Sequence, residues 1–273
     1  MPELTDLIPL IAMIGTAGVV AGFLAGLFGI GGGAVLVPIF YQAFGWLDVP
    51  EAVRMHLSVG TSLAIIVPTS IRSFVAHRKE GAVDMQVLRT FLVAVPLGVL
   101  IASIVFAAIS GGALRIMFAI FAVLVAFKLL FGRASWRLGE DMPKGLSRFF
   151  TGSAIGFLST LMGIGGGVLN NTFMTMFGRP IHQAVATSSG VGVLISVPGL
   201  LGAVWAGWAA SGLPLGSTGF VNWICVALII PITLTLAPIG ARFAHRLEKR
   251  QLEFGFGLFL LLVAGRFFAS VAV

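Results

Sequence analysis

The chain has few charged residues and almost no cysteine. Only 10% of its 273 residues are charged, and 58% are hydrophobic. Soluble domains carry about 25% charged residues, so a soluble protein of this composition would lack the polar surface it needs. An integral membrane protein is therefore expected. The net charge of +7 gives no support to nucleic-acid binding, because basic cytoplasmic loops account for it.

Other absences narrow the class of function. The single cysteine, Cys225, excludes a disulfide framework and a thiolate metal site. No carboxylate lies deep in an apolar run, which argues against a cation site and against a proton relay built on Asp or Glu. The sequence contains no H-E-x-x-H or G-x-S-x-G motif. We therefore expect no enzyme, no cofactor and no metal. The acidic start, Met1 to Asp6, is unlike a signal peptide, so we expect no cleavage.

The chain contains an internal repeat. The string Gly22-Phe-Leu-Ala-Gly-Leu-Phe-Gly-Ile-Gly-Gly-Gly33 returns 134 residues later as Gly156-Phe-Leu-Ser-Thr-Leu-Met-Gly-Ile-Gly-Gly-Gly167. A repeated apolar helix interrupted by glycine is typical of transporters whose substrate site lies between the two repeats. Further matching pairs are Val59–Ser62 with Val185–Ser188, Gly81–Asp84 with Gly219–Asn222, and Pro96–Gly98 with Pro238–Gly240.

The lengths of the apolar runs predict the helices. Residues Leu7 to Leu47 are 41 residues without a charge, which as one helix would reach about 61 Å, twice a bilayer core. The run must break at its glycines, into helices Leu7–Phe28 and Gly33–Phe44. The second half repeats this with a helix over residues 148–163 and a short one ending near Phe177. Predicted crossings are Met55–Ala76, Val87–Ile109, Ala113–Phe131, Val185–Trp208, Phe220–Ala241 and Leu252–Val271.

The basic residues predict the orientation. Three Lys/Arg clusters, around Arg78, Arg137 and Arg246, would lie in the cytoplasm by the positive-inside rule. If each glycine-broken pair returns to its side of entry, the two halves have opposite orientations. The expected fold is all-α: a polytopic membrane protein of two inverted-topology repeats, each a glycine-broken helical hairpin plus three transmembrane helices. The domains would be residues 1–132, a cytoplasmic linker 133–147, and residues 148–273. A broken pair that crosses the membrane only once would change this count.

The two glycine triplets are the first candidate binding residues. A helix that restarts after a break exposes unpaired N–H groups with a partial positive charge, and such a start binds anions. Two starts, one from each half, could face one central anion. The alternative is that these glycines only permit close helix packing. The predicted substrate-binding glycines are Gly31, Gly32, Gly33, Gly165, Gly166 and Gly167.

Hydroxyl and amide side chains near the triplets are further candidates. They could donate hydrogen bonds to an anion without adding charge. The alternative for the hydroxyls is bonding to their own helix backbone or helix packing. For the amides it is a plain bond between helices. These predicted substrate-binding residues are Ser58, Thr61, Ser62, Asn170, Asn171, Thr187, Ser188 and Ser189.

Two histidines and two arginines stand near the short helices. His56 and His182 could couple protons, since histidine titrates near neutral pH. Arg54 and Arg179 could attract an entering anion. The alternative for all four is an ordinary place at the membrane interface. Lys128 and Arg266, within apolar runs, are expected to snorkel toward the bilayer surface.

The repeated motifs resemble those of a known family. Gly29-Ile-Gly-Gly-Gly33 and Gly163-Ile-Gly-Gly-Gly167, with Val59–Ser62 and Val185–Ser188, resemble the TauE/SafE family of sulfite exporters, also called the toluene sulfonate uptake permease family. The resemblance runs from about Ile14 to Phe268. It implies a multi-pass transporter of the bacterial inner (plasma) membrane for sulfur-containing anions, such as sulfite or organosulfonates like sulfoacetate. It fixes neither substrate nor direction.

The membrane potential favours export. A cytoplasm negative by 100 mV assists anion exit by about 2.3 kcal/mol per charge, so export needs no coupled ion. The expected function is export by alternating access, with the anion between the repeats. The alternatives are an anion channel of the same architecture, a coupled organosulfonate uptake permease, and a non-transporting scaffold subunit. The expected partners are a small anionic sulfur-containing substrate and the lipid bilayer. The sequence leaves monomer and homodimer open.

Overall fold

A computed structural model describes residues 15–16, 18–24, 32–132, 139, 141–244 and 249–272. Helix α1 is described over residues 15–16 and 18–24. The remaining elements are α2 (Gly33–Trp46), α3 (Glu51–Lys79), α4 (Met85–Ala108), α5 (Gly111–Phe131), α6 (Gly145–Leu161), α7 (Gly167–Met176), α8 (Ile181–Ala206), β1 (Ser217–Thr218), β2 (Val221–Asn222), α9 (Trp223–Ala244) and α10 (Lys249–Ala272).

Long apolar helices dominate this part of the chain, as predicted for a polytopic membrane protein. Helices α3, α4, α5 and α8, and residues Arg250–Ser270 of α10, are long and apolar enough to cross a bilayer. Large apolar side chains cover their outer faces: Leu124 of α5 and Leu262 of α10 are about two-thirds exposed. An apolar exterior of this kind requires lipid around it. The predicted all-α membrane fold is confirmed.

Most helix boundaries differ from the prediction by a few residues, and two of these differences have structural consequences. Helix α6 begins at Gly145, inside the predicted linker; the rest of that linker lies mostly outside the described residues. Helix α9 begins at Trp223 rather than at Phe220, because the Asn222 side chain accepts a hydrogen bond from the Cys225 amide (2.9 Å) and caps the helix there. The residues before it form a small antiparallel hairpin that the sequence did not predict, with Thr218 opposite Val221.

Helices that the repeat equates pack against each other. Helix α3 lies along α8: a methyl group built on Gly60 would be 3.0 Å from Ala203 Cβ, and one on Gly192 would be 2.6 Å from Ser70 Oγ. Contact positions therefore rise along α3 as they fall along α8, so the two helices run antiparallel. Helices α5 and α10 are also antiparallel neighbours. Arg115, near the start of α5, contacts Ser270, near the end of α10.

Two reciprocal hydrogen bonds join the halves. The Asn222 amide donates to Thr61 Oγ1 (3.0 Å), and the Asp84 amide donates to Thr187 Oγ1 (2.9 Å). Thr61 and Thr187 occupy the same place in the repeat, and so do Asp84 and Asn222. Asp84 also caps α4 through its carboxylate. Each threonine therefore holds the start of a helix in the opposite half.

Glycines bring several helices into close contact. A methyl group on Gly98 of α4 would overlap the carbonyl oxygen of Ser153 in α6, and one on Gly156 would overlap that of Val95. Small residues allow such close backbone approach in membranes, where helix association depends on packing rather than on the hydrophobic effect.

Candidate anion site at the broken helices

Helix α6 ends in a glycine turn deep in the protein. Gly163 has a left-handed backbone (φ 64°). Its amide donates to the Thr160 carbonyl (3.0 Å), and the Ile164 amide donates to the Ser159 carbonyl (2.9 Å). These two bonds are the Schellman pattern, which satisfies the last carbonyls of a helix. The chain then turns through Gly165 and Gly166 into α7.

Helix α7 begins with unpaired amide groups. Its N-cap residue, Gly166, has a left-handed backbone (φ 72°) and has no side chain that could cap the helix. The first amide with a helical partner is that of Asn170, which donates to the Gly166 carbonyl (2.8 Å). Among the described residues, no acceptor faces the amides of Gly167, Val168 and Leu169. Gly167 and Val168 are buried, so this partial positive charge lies inside the protein.

Helix α2 begins in the same way and lies against the turn before α7. Its cap, Gly32, is left-handed (φ 79°), and the Val35 and Leu36 amides share the Gly32 carbonyl. A methyl group on Gly33 would lie 2.7 Å from Ile164 Cα and would also overlap the Gly163 carbonyl. The two glycine breaks therefore adjoin. The predicted site residue Gly31 lies outside the described residues.

Two buried hydroxyls lack partners in the described part of the chain, and one of them, that of Ser159, lies beside the start of α7. Ser159 and Ser196 are fully buried, and the Oγ atom of each has no hydrogen-bond partner among the described residues. A methyl group on Gly166 would lie 3.9 Å from Ser159 Oγ, so this hydroxyl stands beside the left-handed glycine that precedes α7. A buried hydroxyl without a partner is costly, which is a reason to expect a ligand there.

Asparagine and serine side chains extend this polar region along α7. Asn170 Nδ2 donates to Ser188 Oγ (2.7 Å), and Ser188 Oγ donates to Asn171 Oδ1 (2.6 Å). Asn170 is fully buried, and its Oδ1 has no partner among the described residues. The fold thus brings together three predicted site residues, Asn170 and Asn171 of α7 and Ser188 of α8.

The other predicted hydroxyls make hydrogen bonds of three kinds. Ser62 donates to the Gly163 carbonyl (2.8 Å), which ties the first half to the break of the second. Ser58 and Ser189 donate to carbonyls of their own helices, Arg54 and Ala186, as the alternative interpretation expected. Thr61 and Thr187 are engaged in the reciprocal bonds between the halves.

The predicted histidines and arginines lie away from the glycine breaks. His56 is buried, with Nε2 3.1 Å from the Ile109 carbonyl and its ring stacked on Phe220. His182 is exposed at the start of α8. Arg54 donates to the Val49 carbonyl (2.8 Å). Arg179 is half-buried, two residues before α8.

Sequence reasoning missed Ser159, Ser196 and Arg115. Ser159 had a detectable signal, because the first copy of the repeat has Ala25 in its place. Arg115 stands inside a predicted crossing and is only 6% exposed. It pairs with Glu51 and donates to the Tyr41 hydroxyl (2.8 Å) and to Ser270 Oγ (3.1 Å). A basic residue in an apolar run was the available sign, but its partners are remote in sequence.

The helices and their buried breaks define a multi-pass α-helical membrane protein. At least one break leaves backbone N–H groups in the interior without a hydrogen-bond acceptor among the described residues. Comparison with known families identifies the protein further: the model of the family described as sulfite exporter TauE/SafE matches residues 14–267. The chain belongs to this family. The predicted resemblance is confirmed.

Relatives in other organisms carry general names. The chain is 34% identical to a "Probable membrane transporter protein" of Haemophilus influenzae over 90% of this chain and 94% of the relative. It is 28% identical to a similarly named protein of Methanocaldococcus jannaschii over 95% and 97% of the two chains. It is 26% identical to the probable membrane transporter protein YunE of Bacillus subtilis, over 90% and 93%. No solved structure matches.

Proposed function

We propose that this protein exports small sulfur-containing anions, sulfite or an organosulfonate such as sulfoacetate, across the bacterial inner membrane. The family is described as sulfite exporter, and its relatives are named as membrane transporters. One structural observation carries the proposal. The start of α7 is buried, and among the described residues no side chain caps it and none bonds to the neighbouring hydroxyl of Ser159.

The donors at this start suit an oxyanion. Sulfite and sulfonates present several oxygens on one sulfur, each able to accept a hydrogen bond. The amides of Gly167 and Val168, the hydroxyl of Ser159 and the amide group of Asn171 could donate to them. Donation from backbone and neutral side chains holds an anion without a fixed cation, which eases its release.

The relation between the halves supports alternating access. Equivalent helices α3 and α8 run antiparallel, as two inverted repeats require. The contacts of Gly33 with the Gly163–Ile164 turn and of Gly60 with the Phe220 carbonyl are tight. Such packing favours a carrier that must rearrange over a permanently open channel. Rocking of the halves about the adjoining breaks would expose the site to each side in turn.

A voltage-dependent flux assay tests the proposal. Proteoliposomes loaded with sulfite would receive an imposed potential, negative inside. Sulfite efflux should accelerate with the potential, because an uncompensated anion carries charge outward. Electroneutral transport, or no flux of sulfite or any short sulfonate, would contradict it. Ohmic currents far faster than carrier turnover would show a channel instead.

A further inference from the structure

A cavity lies between α1, α2 and α10, and none of the described glycines of the two breaks lines it. Its volume is about 540 Å³. The lining is mainly apolar: Val20 of α1, Ile39 of α2, and Phe259 and Val263 of α10. Val20 is 46% exposed on the outer surface, so the cavity is accessible from the bilayer.

Arg266 supplies the charge in this cavity. It is exposed, and among the described residues it has neither an acidic partner nor a hydrogen bond. The polar end also contains Gln42 and Trp46. Trp46 is 64% exposed at the end of α2, a position typical of the belt of aromatic residues at the membrane surface. The guanidinium therefore lies near headgroup level, while Phe259 lies about 10 Å further along α10.

The repeat offers a matched position without this arrangement. Leu124-Val125-Ala126 with Lys128 in α5 aligns with Leu262-Val263-Ala264 with Arg266 in α10. Lys128 has an interaction within the protein, whereas none is present for Arg266 in the described part of the chain. The cavity thus has an apolar part and a cation without a partner in the described part of the chain. A phospholipid is complementary to both, because its acyl chain suits the apolar part and its anionic phosphate suits the cation.

We propose that this cavity binds an anionic phospholipid, with the acyl chain along Ile39, Phe259 and Val263 and the phosphate on Arg266. Guanidinium groups bind phosphate oxygens through two parallel hydrogen bonds. The lipid would link the first-half elements α1 and α2 to α10, the last helix of the second half. This site is separate from the proposed transport site.

The test measures retained lipid on the full chain in nanodiscs containing phosphatidylglycerol and phosphatidylcholine. Native mass spectrometry should find phosphatidylglycerol bound to the wild type. Arg266→Gln should weaken its retention about tenfold, as expected for loss of a charge-assisted hydrogen bond. Lys128→Gln is the matched control and should retain the lipid. Val263→Phe, which fills the cavity without changing charge, should also release it.

Three outcomes would overturn the proposal. If Arg266→Gln retained as much phosphatidylglycerol as the wild type, Arg266 would only extend its charge toward the bilayer surface and would not bind the lipid. Equal binding of phosphatidylcholine would remove the role of charge. Displacement of the lipid by sulfite or methanesulfonate would assign the cavity to transported anions instead. Because none of these readouts measures flux, failure here leaves the export proposal intact.

Discussion

The starts of α2 and α7 share one backbone design but differ in their side chains. Both follow a left-handed glycine, Gly32 or Gly166, and no side chain in the described part of the chain caps either helix. Around α7 stand Asn170 and Asn171; the matching residues of α2 are Leu36 and Val37. The two helix starts therefore have the same backbone conformation, but polar side chains follow it in the second half and apolar side chains in the first.

This difference separates structural residues from candidate binding residues. Features present in both copies, such as Thr61 and Thr187, hold the halves together through reciprocal bonds. Ser159 is present in one copy only, and its hydroxyl has no hydrogen-bond partner among the described residues. We infer that the second half supplies most of the anion's hydrogen bonds. The first half contributes close packing, since Gly33 at the start of α2 contacts the Gly163–Ile164 turn.

The largest expected effect is that of Gly33→Ala. The new methyl group would meet the backbone of Gly163 and Ile164, which cannot move away as a side-chain end can. Overpacking of this kind costs about 3 kcal/mol, so thermal unfolding in detergent should shift strongly and flux should be lost. Gly255→Ala in α10 is the control, because no atom lies within 4 Å of its added methyl. Equal stability of the two variants would contradict the close packing of Gly33 against Gly163 and Ile164.

Asn170→Leu should have the next largest effect, since it gives the second half the residue found at Leu36. It removes the hydrogen bond to Ser188 and the polar edge of α7. Sulfite affinity in a thermal-shift titration should fall about thirtyfold, because Asn170 holds Ser188 and Ser188 in turn positions Asn171, which is a proposed donor to the anion. The Ala substitution of Ser189, whose hydroxyl bonds only to its own helix, should leave the affinity unchanged. Unchanged affinity in Asn170→Leu would place the anion elsewhere.

Ser159→Ala should give a smaller effect of opposite sign on affinity and stability. Sulfite binding should weaken about tenfold through loss of one donor to a charged group. The free protein should be equally or more stable, because a buried hydroxyl without a partner is removed. The control is Ser103→Ala, whose buried hydroxyl bonds to the Val99 carbonyl (2.9 Å). A destabilised Ser159→Ala with normal affinity would indicate a purely structural hydroxyl.

The smallest expected effects come from Thr61→Val and Thr187→Val. Each leaves one amide of the other half, Asn222 or Asp84, without its acceptor, at a cost of about 1 to 2 kcal/mol. Both variants should be destabilised in thermal unfolding, and Thr61→Val more so, since the bond to Asn222 is buried and the bond to Asp84 only partly buried. Stability equal to the wild type in both variants would show that these threonines do not hold the halves together.

The sequence predicts the helices well because long apolar runs leave few alternatives in a bilayer. It also predicts the breaks, since only glycine allows the backbone of Gly166 at φ 72° without strain. It could not predict the β1–β2 hairpin, which depends on the cap at Asn222.

Partners across the fold are equally hidden from the sequence. Arg115 is joined to Tyr41 and Ser270, which are 74 and 155 residues away. The position of Ser159 beside Gly166 depends on the turn at Gly163, so its role emerged only from the packed structure.

The most direct test is to locate a bound anion by anomalous diffraction from crystals soaked in selenite, a heavier analogue of sulfite. The account predicts a selenium peak within hydrogen-bond reach of the Gly167 and Val168 amides and of Ser159 Oγ. That peak should be lost in Ser159→Ala at the same selenite concentration. A peak only beside Arg115 or Arg266, with the start of α7 empty, would contradict it.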